Sequence, residues 1–237
     1  MSDLVLAAFA AETGGHVVEE PRERRFERFR RGFDEAAFRA SLAARGLRFV
    51  GRAEAGYPSL LRELHDPPPG LFLRGSGAVD LLLERGVAIV GARACSSYGS
   101  QVARLLGREL TTAGLVVVSG LARGIDGEAH RGALESRGHT VAVLGCGVDR
   151  DYPAAHAQLA ARIAQEGLIV SEYAPGIEPA PWRFPARKAE SRVAMRKAAF
   201  LQCRPCCVGR QTRGRCGLGV VSSYRISAHL SGRRPFP

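Results

Sequence analysis

The sequence predicts an α/β protein: a Rossmann-like parallel sheet with helices on both faces, a short N-terminal helical segment before it and a truncated or aberrant C-terminus after it. Three observations carry this reading. From Val87 onward, short β-branched runs alternate with helical patterns, a rhythm that requires crossover connections and therefore parallel strands. Residues 115 to 130 read LVVVSGLARGIDGEAH, an apolar strand entering a glycine-rich turn and then a helix. At residue 188 the composition changes abruptly, and the pattern stops.

The elements follow in order. Residues 1 to 33 give little fold signal: a weak apolar start precedes the charged run Glu19 to Arg31, whose glutamates interleave its arginines as on a solvated helix or loose arm. Asp34 opens a helix through Arg45 with Ala37, Phe38 and Leu42 on one face, and Gly46 ends it. Leu47 to Val50 is a short strand. Tyr57 to Leu64 is a helical turn or two opened by Pro58, and Asp66 to Gly70 is a rigid break because each proline fixes its own φ and extends its predecessor. Leu71 to Leu73 is another strand. Strands at 87–90, 115–118, 140–144 and 168–171 then alternate with helices at about 98–112, 125–137 and 153–165. The domain organisation expected is a reduced helical segment at 1–44, the sheet at 45–187 and a tail at 188–237.

The formal charge of +11 would ordinarily point to a nucleic-acid partner, but its distribution is uneven. Residues 1–187 sum to +1, and residues 188–237 carry +10. The tail also holds Cys203, Cys206, Cys207 and Cys216, four of the six cysteines, and no lysine precedes Lys188. This break reads as a shifted reading frame whose product is a disordered tail with no strand to add, leaving the sheet edge beside strand 168–171 open. The other reading is a genuine basic tail that binds nucleic acid, or zinc through those cysteines and His229. The usual second ligand pair is missing, so no metal site is expected. Cys95 and Cys146 are expected to remain thiols. No apolar run reaches the length of a membrane span and no basic start precedes the first apolar stretch, so cytoplasm is the expected location.

The glycine-rich turn carries the chemistry. Gly120 and Gly124 strip bulk from it, so Ser119, Gly120, Arg123 and Gly124 would offer backbone amides, a hydroxyl and the positive end of a helix to an anion such as phosphate. A second unit ends in Gly91-Ala92-Arg93, placing a guanidinium at a strand's carboxyl end, where open α/β sheets bind their ligands. Gly91 and Arg93 therefore join the candidate site. The alternatives are packing for the glycines and an ordinary surface ion pair for Arg93. No dinucleotide cofactor is expected, because Gly91 lacks the second glycine of the fingerprint and the second strand ends in Ser119 rather than an acid. Asp126 reads as a helix cap and His130, four residues on, as a packed histidine, since no serine elbow or metal-ligand set accompanies them. Phe184 and Arg187, with Trp182 and Arg183 beside them, suit base stacking with phosphate contact.

Further segments extend the pattern: Tyr57-Pro58-Ser59-Leu60-Leu61, Asp66-Pro67-Pro68, Leu71-Phe72-Leu73-Arg74-Gly75, Ala129-His130, Val141 to Gly145, Tyr152-Pro153, Ser171-Glu172 and Phe184-Pro185-Ala186-Arg187. Together with Gly91-Ala92-Arg93 and Ser119 to Asp126 they resemble the DNA-processing protein A (DprA/Smf) family over about residues 40–187. The resemblance implies a non-enzymatic protein that binds single-stranded DNA, protects incoming DNA and loads the RecA recombinase in natural transformation or recombination. It implies that Arg93 grips the DNA backbone. It also implies a homodimer, whose surfaces would lie in the region the tail replaces. Two other readings stay open. One is a nucleotide-processing enzyme of the lysine-decarboxylase-like group, although its Pro-Gly-Gly-x-Gly-Thr signature is absent. The other is an inactive frameshifted product.

Overall fold

The computed structural model describes residues 2–13 and 24–180, with the backbone of 199–203 and 218–221. Three helices come first: α1 (Asp3–Thr13), α2 (Arg24–Gly32) and α3 (Glu35–Ala44). Asp34 caps α3 as its sequence position suggests, its carboxylate accepting the Ala37 amide at 2.9 Å. Strand β1 (Leu47–Gly51), the single turn α4 (Ser59–Arg62) and β2 (Gly70–Arg74) follow. Helix α4 is shorter than its sequence suggests because Tyr57 leaves the helix to donate its hydroxyl to the Pro68 carbonyl at 2.9 Å, clamping the proline break against it.

The alternating region then appears as expected: β3 (Gly86–Gly91), α5 (Ser97–Thr112), β4 (Val116–Ser119), α6 (Ile125–Glu135), β5 (Thr140–Val143), α7 (Ala157–Glu166) and β6 (Leu168–Ser171). One turn of 3-10 helix, Ala154–His156, leads into α7. Two segments of the tail are strands, β7 (Ala199–Cys203) and β8 (Leu218–Val221).

Among the described residues the strands form one sheet in the order β1-β2-β6-β5-β4-β3-β7-β8. The block from β6 to β7 is parallel. β2 joins β6 antiparallel, β1 joins β2 antiparallel, and β8 joins β7 antiparallel. From β3 to β6 the chain steps outward in one direction, so right-handed crossovers place α5, α6 and α7 on one face. Val87, Ile89 and Val117 point there against Ala103, Ala129 and Ala133. On the other face Val118, Val143 and Val170 meet Leu61, Leu81 and Leu82, from α4 and a 3-10 turn at Val79–Leu82. All four residues of β4 are buried, which is why its sequence is a continuous apolar run rather than an alternating one. Each such side chain stabilises the fold by about 1.5–3 kcal/mol through the apolar area it removes from water.

Helices α5 and α6 approach closely through two small residues. Gly107 lies against the Ala129 carbonyl and Gly132 against the Arg104 carbonyl, so a Cβ at either would strike the partner helix's backbone.

Three expectations are corrected. The edge beside strand 168–171 is not open: β2 fills it, pairing Phe72 with Ser171 and Arg74 with Ile169. Residues 1–33 are not a loose arm where they are described, because Leu4 to Phe9 of α1 are all buried and Phe26 of α2 is fully so. Leu4, Ala7 and Leu42 share one core with Leu144, Ala160 and Ile163, which joins the N-terminal helices to the sheet. The tail supplies strands at 199–203 and 218–221. The β3 edge offers a row of backbone donors and acceptors, and pairing with it needs a partner backbone rather than a long apolar run.

Candidate functional site

Three loops meet at the carboxyl ends of the parallel strands. The loop after β3 brings Arg93, the turn after β4 brings Gly120, Ala122 and Arg123, and the loop after β5 brings Tyr152, Pro153 and Ala155. Together they line a cleft of about 160 Å³. Both arginines are exposed and Tyr152 is 39% exposed. Among the described residues no acidic side chain lines the cleft, so their field favours an anion.

The first two loops are fastened together by the glycines and by α6. Gly124 has φ +76°, and a Cβ there would strike the Ala92 carbonyl. The close approach lets the Ile125 amide donate to the Ala92 carbonyl at 3.2 Å. The Asp126 carboxylate accepts the Gly91 amide at 3.3 Å. Asp126 therefore reaches across to the neighbouring loop, where the sequence suggested a cap on its own helix. Gly91 makes room for Ile125, whose Cγ1 would lie 2.6 Å from an added Cβ. Its role is packing beneath the cleft.

Ser119 is a correction. It is fully buried, and its hydroxyl donates to the Ile89 carbonyl at 2.5 Å. Its only proton thus ties β4 to β3 rather than meeting a ligand. The Ile125 and Gly127 amides are also committed, to the Ala92 and Ala122 carbonyls. The candidate site accordingly has fewer backbone donors to offer an anion than the sequence implies, and its positive charge comes from Arg93 and Arg123.

Tyr152 is the residue that the reading of the chemistry missed. It stands far from both arginines along the chain, in a loop without periodicity, and only the fold brings it to them. Among the described residues three ion pairs anchor that loop: Arg45 to Asp149 at 2.6 Å, Arg74 to Asp151 at 2.8 Å and Arg150 to Glu178 at 2.8 Å. Asp149 also accepts the Gly176 amide at 2.9 Å. Partial burial raises the Asp149 pKa, but the Gly176 amide and the Arg45 guanidinium outweigh it and hold the carboxyl below its ordinary value.

Beneath the cleft, Leu121 has φ +56° and is buried. His156 Nδ1 lies 3.0 Å from the Leu121 carbonyl, and since a carbonyl only accepts, Nδ1 carries the proton. His130 is fully buried and 2.7 Å from Thr140 Oγ1. The threonine gives its own proton to the Val117 carbonyl at 2.7 Å, so the histidine is the donor to it. A packed, hydrogen-bonded His130 matches expectation, and neither it nor Asp126 lines the cleft. Phe184 and Arg187, like Trp182 and Arg183, lie outside the described residues. Cys95 Sγ lies 3.1 Å from the Ser100 hydroxyl, and Cys146 is buried. Among the described residues no group of three His, Cys, Asp or Glu side chains is placed to hold a metal ion, and no helix is long and apolar enough to cross a membrane.

Comparison with known proteins places this geometry in context. The profile of the family described as DNA recombination-mediator protein A matches residues 48–193. The DNA processing protein DprA of Streptococcus pneumoniae is 45% identical over 131 residues, which cover 55% of this chain and 45% of that protein. Protein Smf of a Synechocystis species is 42% identical over 146 residues, covering 59% of this chain and 35% of that one. The chain thus spans less than half the length of either relative. The crystal structure of the Streptococcus pneumoniae protein superposes with a TM-score of 0.66 at 31% identity, over 84% of this chain and 72% of that one. DNA processing protein A of Helicobacter pylori, whose structure is described for its single-stranded DNA binding mode, gives a TM-score of 0.58 at 31% identity over 68% of this chain and 71% of that one.

Proposed function

This chain belongs to the DNA recombination-mediator protein A family, and on that premise we propose that it binds single-stranded DNA in the cleft between Arg93, Arg123 and Tyr152. The observation that carries the reading is the meeting of two exposed guanidiniums and one exposed aromatic ring, with no acid among them, at the carboxyl ends of parallel strands. A guanidinium forms two parallel hydrogen bonds to phosphate oxygens. An aromatic face stacks any base, which gives affinity without sequence preference. Arg93 and Arg123 hold the backbone, Tyr152 takes a base, Gly120 lets the strand approach the turn closely, and Gly124 holds that turn against the Ala92 carbonyl. Gly91 supports them from below, and Phe184 and Arg187, outside the described residues, are assigned to DNA contact from their sequence alone.

The role is binding rather than catalysis. The one Asp–His pair near the turn is spent on Gly91 and Thr140 and stands apart from the cleft. The family context extends the proposal to the cell: the protein protects incoming single strands and presents them to RecA during transformation or recombination, in the cytoplasm.

Fluorescence anisotropy with a labelled oligothymidine and a hairpin duplex tests this. The single strand should bind more tightly, with affinity falling steeply as salt rises. Arg93→Ala should weaken binding by about 1–3 kcal/mol, the scale of a charge-assisted phosphate contact. Equal affinity for duplex, or an unchanged constant in the folded variant, overturns the assignment. Hydrolysis of a nucleoside monophosphate by the purified protein would favour the enzyme reading instead.

A further inference from the structure

Resting on that reading, we propose that the exposed arginine face of α2 is a second contact for the phosphate backbone of the same single strand. Helix α2 reads RRFERFRRG. At 3.6 residues per turn, Phe26 and Phe29, with Phe33 just beyond the helix, fall within a narrow sector of about 60°. Arg24, Arg28 and Arg31 occupy the opposite side, and Arg25 lies on the flank.

The orientation is pinned by an aromatic ladder. Phe9 meets Phe26 at 5.0 Å and Phe29 at 5.3 Å between ring centroids, Phe29 stacks on Phe33 at 5.1 Å, and Phe33 meets Phe38 of α3 at 5.3 Å. With the phenylalanines inward, the four arginines are turned to solvent. Among the described residues only Arg30 of this helix is held in an ion pair, to Glu27 at 3.0 Å.

Helix stability accounts for only part of this charge, since Arg30 and Arg31 suit the last turn while Arg24, Arg25 and Arg28 gain nothing from the dipole. The nine residues carry five arginines and one glutamate, while residues 1–187 together sum to only +1, so the patch stands out from an otherwise net-negative body. Arg24 and Arg25 sit in the first turn, where the helix dipole disfavours cations. The face fits a polyanion and not a lipid surface, since the helix's apolar side is already buried against Phe9 and Phe38 and none is left to enter a membrane. Arg24, Arg28 and Arg31 form a row rising by about 6 and then about 4.5 Å, a regular line of guanidiniums suited to successive phosphates. The row is also tied to the cleft: α3 follows α2 directly, its C-cap Arg45 bonds Asp149, and the Asp149 loop ends in Tyr152.

The experiment measures anisotropy of the full chain with oligothymidines of about 8 and about 40 nucleotides, lengths that bracket a single binding groove. In the Arg24→Gln, Arg28→Gln, Arg31→Gln variant, affinity for the long strand should fall about tenfold or more. The slope of log K against log salt should become shallower by about 2, at roughly 0.7 per neutralised phosphate. The short strand, held by the cleft alone, should bind as before. The corresponding triple lysine variant should keep both affinity and slope, separating charge from folding. An unchanged long-strand slope in the glutamine variant, or equal losses for both strands, overturns the proposal. If Arg93→Ala weakens both strands while the glutamine variant weakens neither, the cleft reading stands and only this inference falls. A wild-type chain that binds neither strand overturns both.

Discussion

Asp149→Asn removes one charge from the loop that carries Tyr152 into the cleft while keeping its shape. The carboxylate accepts the Gly176 amide at 2.9 Å and the Arg45 guanidinium at 2.6 Å. A hydrogen bond to a charged acceptor contributes about 1 kcal/mol more than a neutral one. The asparagine oxygen still accepts from Gly176, so each of the two bonds is weakened rather than lost. Arg45 is 48% exposed, and solvent screening reduces its share to well under 1 kcal/mol. The expected loss is about 1–1.5 kcal/mol, which lowers the melting temperature of a chain this size by about 2–6 °C.

The effect carries a pH signature. The folded carboxyl lies below its ordinary value, so the stabilisation is complete above the unfolded pKa of about 3.9 and disappears as pH falls through the lower folded value. Melting curves by circular dichroism between pH 7 and pH 3 should show wild type and variant separated at neutral pH and converging in acid. Equal melting temperatures at pH 7, or a gap that stays constant down to pH 3, would refute the account of this loop.

Other outcomes follow from single contacts. Tyr152→Ala should weaken single-strand binding by about 1–3 kcal/mol while Tyr152→Phe retains it, because stacking needs the ring and not the hydroxyl; anisotropy titration separates the two. Gly132→Ala pushes a methyl group into the Arg104 carbonyl and should destabilise by about 1–3 kcal/mol, read as a lower urea midpoint with unchanged slope. Thr140→Val leaves the buried His130 Nδ1 proton without its acceptor and should destabilise by about 1–3 kcal/mol, measured in the same titration. Ser119→Ala removes a buried bond to Ile89, so it should lower stability by about 1 kcal/mol and leave DNA affinity unchanged.

Local sequence carried the alternating core well. The runs at Val87, Val116, Val141 and Leu168 are apolar without interruption because both faces of those strands are covered, and each begins and ends within a residue or two of its expected place. What local sequence does not contain is the choice of partner. Nothing in Gly70–Arg74 says that β2 inserts antiparallel between β1 and β6. Helix α1 was illegible for a different reason: Leu4 to Phe9 are apolar all round, so no 3.6-residue stripe marks them. In α2 the two phenylalanines, Phe26 and Phe29, are hidden among charges that read as solvated. Of the candidate site residues read from the motifs, Arg93, Gly120 and Arg123 meet at the cleft, while Gly124 packs against Ala92. Ser119 was misjudged because a hydroxyl at a strand's end looks exposed until the register places it under Ile89. Tyr152 was assigned no role in the site, since proximity across about sixty residues of chain is a property of the fold.

Leu121 gives the cleft a thermodynamic character of its own. A leucine in the left-handed region costs roughly 1–2 kcal/mol, and here that strain is offset by burial of its side chain and by the bond from His156. Both compensations belong to the folded core, so they are present whether or not a strand occupies the cleft. The turn that carries Arg123 is therefore preorganised, and little protein entropy is lost when a ligand arrives. On the proposed reading, the ordering on binding falls on the flexible nucleic acid, which would adapt base by base to a surface that does not change, and tolerance of any sequence would follow from that division of labour.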